Sequence, residues 1–313
     1  MQMNDQKKRG DVPILMMLFN RPEHTRKVFE VIRELRPSRL FVAGNGPRFG
    51  VPKDIELCKA VRDIFKEVDW PCELHTNFRE INIGMNPQWY KAMDWFFQSV
   101  EYGIILEDDC VPHPSFFVYC DELLNKYMNE EKIMHINGSN FLFGKKMGNA
   151  SYFFSKYTHV WGWATWKRAW QKYDFDLKSF PSFKQSNEID VICPNHREKK
   201  YFMKYFEQLY SKENIDSATK WLYSIWFNKG ICITPNINLI TNIGYGLSAG
   251  HTIFKEKIMG QETLDIMPLT HPTSQTVDTV ADNFTFRTVY FRSFFEKVRY
   301  KIMVWVSKVV RNI

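Results

Sequence analysis

None of the six cysteines (Cys58, Cys72, Cys110, Cys120, Cys193 and Cys232) stands in a C-x-x-C pair, and no histidine cluster accompanies them. Neither a zinc site nor a disulfide framework is therefore expected. The chain also lacks G-x-G-x-x-G and a Walker loop, which argues against a dinucleotide dehydrogenase or a P-loop nucleotidase. Long apolar runs are missing: the longest, residues 12–19, falls far short of the roughly 20 residues that span a bilayer. No charged-then-apolar leader opens the chain, and the polar stretch 1–11 reads as a frayed tail. A reduced, cytoplasmic compartment fits these absences. Repeats, low-complexity tracts and linkers are absent as well, so one domain with elaborations is expected.

What is present is a globular composition with 44% hydrophobic and 25% charged residues over 313 positions, enough to bury a large core. Aromatic content is high: ten Trp and 26 Phe. Rings in that number line a carbohydrate site or a membrane-facing surface, or else fill a large aromatic core, and composition does not separate these. The formal charge is +7, but residues 287–313 carry seven Lys/Arg against Glu296 alone, a local +6, which leaves about +1 for the rest. The body is thus not built as a nucleic-acid surface. The segment 281–313 reads as a basic amphipathic helix, since Phe291, Phe295, Val298, Ile302, Trp305 and Val309 follow a spacing of three and four. Such a helix implies peripheral contact with an anionic membrane, at the cytoplasmic face of an inner membrane. Packing against the body is the alternative.

Over the first hundred residues the hydrophobic period alternates. Strands are expected at 12–19, 39–43, 72–76 and 102–106, with helices at 23–35, 54–68 and 87–100 between them. This order predicts an α/β fold with a mostly parallel sheet and right-handed crossovers. Ligands of such sheets sit beyond the carboxyl ends of the strands. Three loops leave there: "NRPE" (20–23), "GNGPR" (44–48) and "EDDC" (107–110). Further on, helices are expected at 114–127, 198–210 and 217–227 and strands at 133–136 and 231–235, around the tryptophan-rich "VWGWATWKRAW" and the glycine-bearing "NIGYGLSAGHT". The fourth strand poses the sharpest question, because Glu107, Asp108 and Asp109 end an apolar run. Like charges so close repel, and burying them without a partner is costly. Either the strand emerges into water there or a cation is the missing partner.

The motifs "LFNRPEHT", "GNGPR", "ILEDDCVPHPSFF", "WGWATWKRAW" and "NIGYGLSAGHT" span residues 14–252. In order and spacing they resemble GT-A-fold glycosyltransferases of the nucleotide-diphospho-sugar transferase superfamily. Bacterial cell-surface polysaccharide enzymes are the nearer likeness, N-acetylglucosaminyltransferase I a distant one. The resemblance implies a GT-A domain over 11–270, with a nucleotide-binding half (11–110) and an acceptor and donor-sugar half (111–270), followed by the C-terminal helical appendage. It implies a hexosyl- or N-acetylhexosaminyltransferase that uses Mn²⁺ or Mg²⁺. The donor is a nucleoside-diphosphate sugar, a UDP-sugar first among them, and the acceptor a glycan or lipid-linked molecule.

Carried over by position, Asp109 holds the metal, while Glu107 and Asp108 face ribose hydroxyls or metal-bound waters. Asn20 and Arg21 lie where base and ribose sit. Asn45 stands where the family often has an acid contacting the base, which leaves uridine or guanosine open. Arg79 either pairs with phosphate or is a surface charge. Trp161, Gly162, Trp163 and Trp166 form a sugar platform or part of the core. Asp216 is the general base or simply a helix N-cap. His251 completes the metal sphere or is an ordinary loop histidine. Two other functions remain in view, a sugar-1-phosphate nucleotidyltransferase and a catalytically silent glycan- or nucleotide-binding module.

Overall fold

Strand β1 (Ile14–Leu18) is buried at every position, as an apolar run covered on both faces must be. Its side chains alternate: Ile14, Met16 and Leu18 enter one hydrophobic core, Leu15 and Met17 another. The computed structural model describes residues 12–213, 215–244 and 260–291. Helix α1 (Pro22–Leu35) starts on Pro22, whose missing N–H costs nothing in the first turn, and buries Thr25, Val28, Phe29 and Ile32 along one stripe. It stops at Arg36, which takes the left-handed conformation ahead of Pro37. Next come β2 (Arg39–Gly44), α2 (Pro52–Ile64) with a 3-10 turn at Phe65–Glu67, β3 (Glu73–Phe78), α3 (Met85–Ser99) and β4 (Tyr102–Glu107). Every element expected over this half forms within a few residues of its expected bounds.

The second half is richer than its periodicity implies. It contains β5 (Cys110–Pro112), α4 (Pro114–Lys126), β6 (Ile133–Asn137), β7 (Tyr152–Ser155), β8 (Trp163–Trp166), and α5 (Lys167–Trp170). Then follow α6 (Phe180–Gln185), α7 (Glu188–Ile192), α8 (His196–Tyr210), α9 (Ser217–Phe227), β9 (Ile231–Pro235), β10 (Ile240–Asn242) and α10 (Thr279–Thr285), which runs into a π-type turn at Phe286–Tyr290. The fold is α/β: an eight-stranded, mostly parallel sheet in the order β3-β2-β1-β4-β8-β6-β9-β7, flanked by helices on both faces. Six strands run one way, and only β7 and β8 oppose them. Because β8 lies between β4 and β6, the two expected halves share one sheet. The short pair β10–β5 lies apart from it.

Helices α1, α2 and α4 cover one face, and α3, α5, α6, α8 and α9 the other. Much of the aromatic content goes into the second core. There Trp89 stacks on Trp163 at 5.8 Å, Trp170 lies 5.4 Å from Trp221, and His135 stacks on Trp163 at 4.7 Å. Burial drives the His135 imidazole down to about 3, so it stays neutral, accepting at Nδ1 from Trp221 Nε1 (3.1 Å). Helix α10 is fastened to β7 by the buried Asp282, which accepts from Ser155 Oγ (2.6 Å) and Lys156 N (3.1 Å). Most of the expected basic helix, from residue 292 onward, lies outside the described residues. Among those described, no helix is long and apolar enough to cross a membrane.

Gly162 precedes β8 with φ of 58°, and a Cβ built on it would fall 2.3 Å from Ile240 Cδ1. The space beside Gly162 is thus filled by Ile240. Gly162→Ala should lose about 1–3 kcal/mol through overpacking, aggravated by the left-handed backbone. Urea denaturation of both proteins checks this, the variant unfolding at lower denaturant.

Candidate functional site

Since six strands share a direction, the loops after β1, β2, β3 and β4 all open on one edge of the sheet. Glu107 closes β4, and the next two residues carry the other acids. Their partner is Arg21, from the loop after β1. Its Nη1 donates to Asp109 Oδ2 at 2.9 Å and its Nη2 to Asp108 Oδ1. Asp108 also accepts from the Phe19 amide (3.4 Å). The Arg21 side chain is 35% exposed, against 3% for Asp108 and 10% for Asp109, so the guanidinium closes the acids off from above.

One cation does not neutralise three carboxylates. Burial, with Asp109 and Asp108 adjoining, pushes the Glu107 carboxyl up to about 8. Burial likewise raises Asp108, to about 6, against the pull of Arg21. Among the described residues no hydrogen bond or ion pair reaches the Glu107 carboxylate.

A third segment arrives from β10. Asn242 pairs with Cys110 across the β10–β5 ladder, and Ile243 N donates to Asp109 O at 2.8 Å. Gly244 then passes so close that a Cβ would fall 1.9 Å from Asp109 Oδ2 and 3.0 Å from Arg21 Nη1. Only glycine allows this approach. His251, further along that loop, lies outside the described residues.

The loops after β1, β2 and β3 interlock beside the acids. Asn20 Nδ2 donates to Asp54 Oδ1 at 2.8 Å. Asp54, buried in the first turn of α2, also takes a two-pronged contact from Arg48: Nε at 2.6 Å and Nη2 at 3.0 Å. Asn45 is buried, and its side chain is committed to backbone: Oδ1 accepts from Gly46 N (3.0 Å) and Ile83 N (3.1 Å), while Nδ2 donates to Gly84 O (3.2 Å). It therefore ties the second loop to the third instead of facing open space. Arg79 is half-buried, with Nε 3.4 Å from Gln88 Oε1. Arg62 Nη2 donates to Asn45 O (3.2 Å) and Arg79 O (2.6 Å), clamping both loops.

Asp216 caps α9. It accepts from Thr219 N (3.1 Å), Thr219 Oγ1 (2.8 Å) and Tyr205 Oη (3.0 Å). Asn86, in the first turn of α3, bonds Ile215 O (2.9 Å) and Ser217 N (2.8 Å), which ties that cap to the third loop. The four residues of the tryptophan-rich motif do not form one surface. Trp163 and Trp166 are three apart on a strand, so they enter opposite cores, and Trp166 Nε1 donates to Leu124 O (3.0 Å). With no exposed ring face, neither can stack on a sugar. Trp161 remains half-buried against Phe141, ring centroids 5.3 Å apart.

The structure thus brings together Arg21, Glu107, Asp108 and Asp109, and sets Asn20, Asn45 and Arg79 in the adjoining loops. Three contributors are not among the residues expected by number: Asp54, Arg48, which ends "GNGPR", and Gly244, which lies in "NIGYGLSAGHT". The glycine in "NIG" was the available signal for the last. Asp54 gave none, since an acid opening a helix is ordinary.

No protein-family model matches the chain, and no curated protein does either. Several solved structures align weakly. The inositol-1-phosphate CTP transferase from T. maritima is 10% identical, over 52% of this chain and 74% of its own (TM-score 0.31). A cytidylyltransferase from Leptospira borgpetersenii is 12% identical over 64% and 73% (TM-score 0.31). The mannosyltransferase of Pyrobaculum calidifontis, solved with GDP-Man and Mn²⁺, is 9% identical over 70% of both chains (TM-score 0.36). Likenesses at this level carry no argument about activity.

One consequence concerns acid stability. The Arg48 hydrogen bonds lower the Asp54 carboxyl from 3.8 to about 2. The pair therefore stabilises the fold fully above the unfolded value, and that contribution is lost as pH falls through the folded one. Melting temperatures of wild type and Asp54→Asn, taken from pH 6 to pH 2, should differ most near neutrality and converge at the acid end. A constant gap would assign the loss to packing instead.

Proposed function

We propose that the chain is a glycosyltransferase that takes a sugar from a nucleoside diphosphate and delivers it to a glycan or lipid-linked acceptor, in surface polysaccharide synthesis. The observation that carries this reading is the convergence of Glu107, Asp108 and Asp109 at the end of a central strand with Arg21 from the first loop and the Gly244 backbone from the last. A guanidinium beside carboxylates at the carboxyl edge of a parallel sheet can engage a diphosphate through its planar fork.

Mn²⁺ or Mg²⁺ is the cofactor the reading requires, and the donors fit it in kind. Glu107 and Asp109 offer hard carboxylate oxygens at one strand end, while both Asp108 oxygens are engaged by Arg21 and the Phe19 amide. Among the described residues no three ligating side chains form a cage. The set therefore suits a cation held by Asp109, with Glu107 beside it, that takes its other oxygens from diphosphate and water. Bound there, such an ion would stabilise charge developing on the leaving diphosphate.

The chain's own residues do the rest. Arg21 grips phosphate oxygens, and the loops clamped by Asn45 and Arg62 fix the wall on which the nucleoside rests. Asp216 is the candidate base for the acceptor hydroxyl, its carboxylate held by Thr219 and Tyr205. A sugar-1-phosphate nucleotidyltransferase shares the sheet order but needs a glycine-rich basic loop after the first strand. Here that loop, "NRPE", has no glycine. A silent binding module would leave donor sugar nucleotides intact, so slow donor hydrolysis without acceptor would count against it.

A thermal-shift panel of UDP-, GDP-, CMP- and dTDP-sugars, with and without Mn²⁺, tests the reading. The cognate donor should raise the melting temperature only with metal present. Asp109→Asn should abolish that metal dependence and most turnover while remaining folded; an unchanged response would leave the acids as a structural strand end. Asp216→Asn keeps the cap acceptor yet removes the basic oxygen. Turnover should fall by about 10²–10⁴ with donor binding kept, whereas near-normal turnover would make Asp216 a cap alone.

A further inference from the structure

We propose that Arg21 is an internal counter-cation that competes with a divalent metal for the carboxylates at the end of β4, and that an arriving diphosphate releases it. This rests on the glycosyl-transfer reading above and adds a control step to it.

Asp109 is the carboxylate the reading gives to the cation, and its Oδ2 is the atom that Arg21 Nη1 holds at 2.9 Å. The other oxygen, Oδ1, has only the weak Cys110 thiol donor at 3.4 Å among the described residues. Asp108 is gripped by the second prong of the same guanidinium. Gly244 closes over the pair, with no room even for a Cβ. A metal ion therefore cannot reach Asp109 Oδ2 unless Arg21 moves.

What would move it is a second partner of the same shape. A guanidinium fork matches phosphate oxygens as well as carboxylate oxygens, and the Arg21 side chain is still 35% exposed toward solvent. Exchanging acids for diphosphate keeps its hydrogen bonds while vacating the Asp109 oxygen. Metal without nucleotide finds Asp109 Oδ2 already held and the Arg21 positive charge beside the open oxygen, Oδ1, and nucleotide without metal leaves carboxylates unpaired. The two ligands therefore bind with positive coupling, and Arg21 is the residue that couples them.

The test is Mn²⁺ binding, followed by calorimetry and by the electron paramagnetic resonance of the free ion, to wild type, Arg21→Gln and Arg21→Lys. Wild type and Arg21→Lys should bind Mn²⁺ alone weakly, and Arg21→Gln about tenfold or more tightly. Arg21→Gln should also lose most of the cooperation between Mn²⁺ and the cognate nucleoside diphosphate. A structural signature accompanies this: Arg21→Gln should melt below wild type, because its acids are left unpaired, and Mn²⁺ alone should restore it while scarcely shifting wild type. Should that variant fold poorly, Arg21→Gln with Asp108→Asn removes one repelling charge and serves in its place. Mn²⁺ binding to Arg21→Gln no tighter than to a wild type that still shows nucleotide-coupled uptake would overturn the competition and leave the function standing. A wild type that takes up no Mn²⁺ with any nucleoside diphosphate would overturn the functional reading itself.

Discussion

Adjacent carboxylates at the end of a buried strand can coexist in a folded protein only if positive charge lies against them, and here one guanidinium provides it. Arg21 reaches across from the first strand to the fourth, binding Asp108 and Asp109 together. The pairing of β1 with β4 in parallel makes this possible, since it brings both carboxyl ends to one level. Several other features depend on that contact. Asp108 can lie almost wholly buried, Gly244 can press its backbone against Asp109, and the β10–β5 ladder can close over the strand end. With every carboxylate ionised, three acids against one arginine would leave two negative charges uncompensated, and burial answers part of that by raising Glu107 to about 8.

The wall beside the acids is rigid for a different reason. Its three loops are held by side chains bonded to backbone, chiefly Asn45 and Arg62, and by the buried Asp54 that gathers Asn20 and Arg48. Loops pinned in this way lose little further entropy when a ligand binds, which favours affinity per contact. Polar residues at the sheet edge thus divide into those that fasten the loops and those that gather at the acidic strand end. Asn20 and Asn45 belong to the first group, whereas Arg21 and Asp109 are bonded to each other at the strand end.

Aromatic residues tell a similar story on a larger scale. The sheet has a core on each face, and the second is a stack of indoles around a neutral buried histidine. Inserting β8 between β4 and β6 sends Trp163 and Trp166 to opposite sides, so a run of tryptophans that could have been a sugar platform seals two cores. Trp161, just before that strand, is the exception and stays half-buried near the carboxyl edge.

The order of strands and helices through residue 107 was legible because a buried parallel strand is apolar throughout and an amphipathic helix repeats every three or four residues. The acidic strand end was legible for the same reason, as three charges interrupting an apolar run. Strands β7 and β8 were not, because a buried run of only four residues, aromatic in both cases, has no period that separates strand from loop. The partner of the acids was not legible either: Arg21 and Asp109 are 88 residues apart in the chain. Local pattern determined where negative charge would collect, while the parallel register of β1 against β4 decided which cation would meet it, because contact between distant residues is a property of the sheet and not of either segment alone.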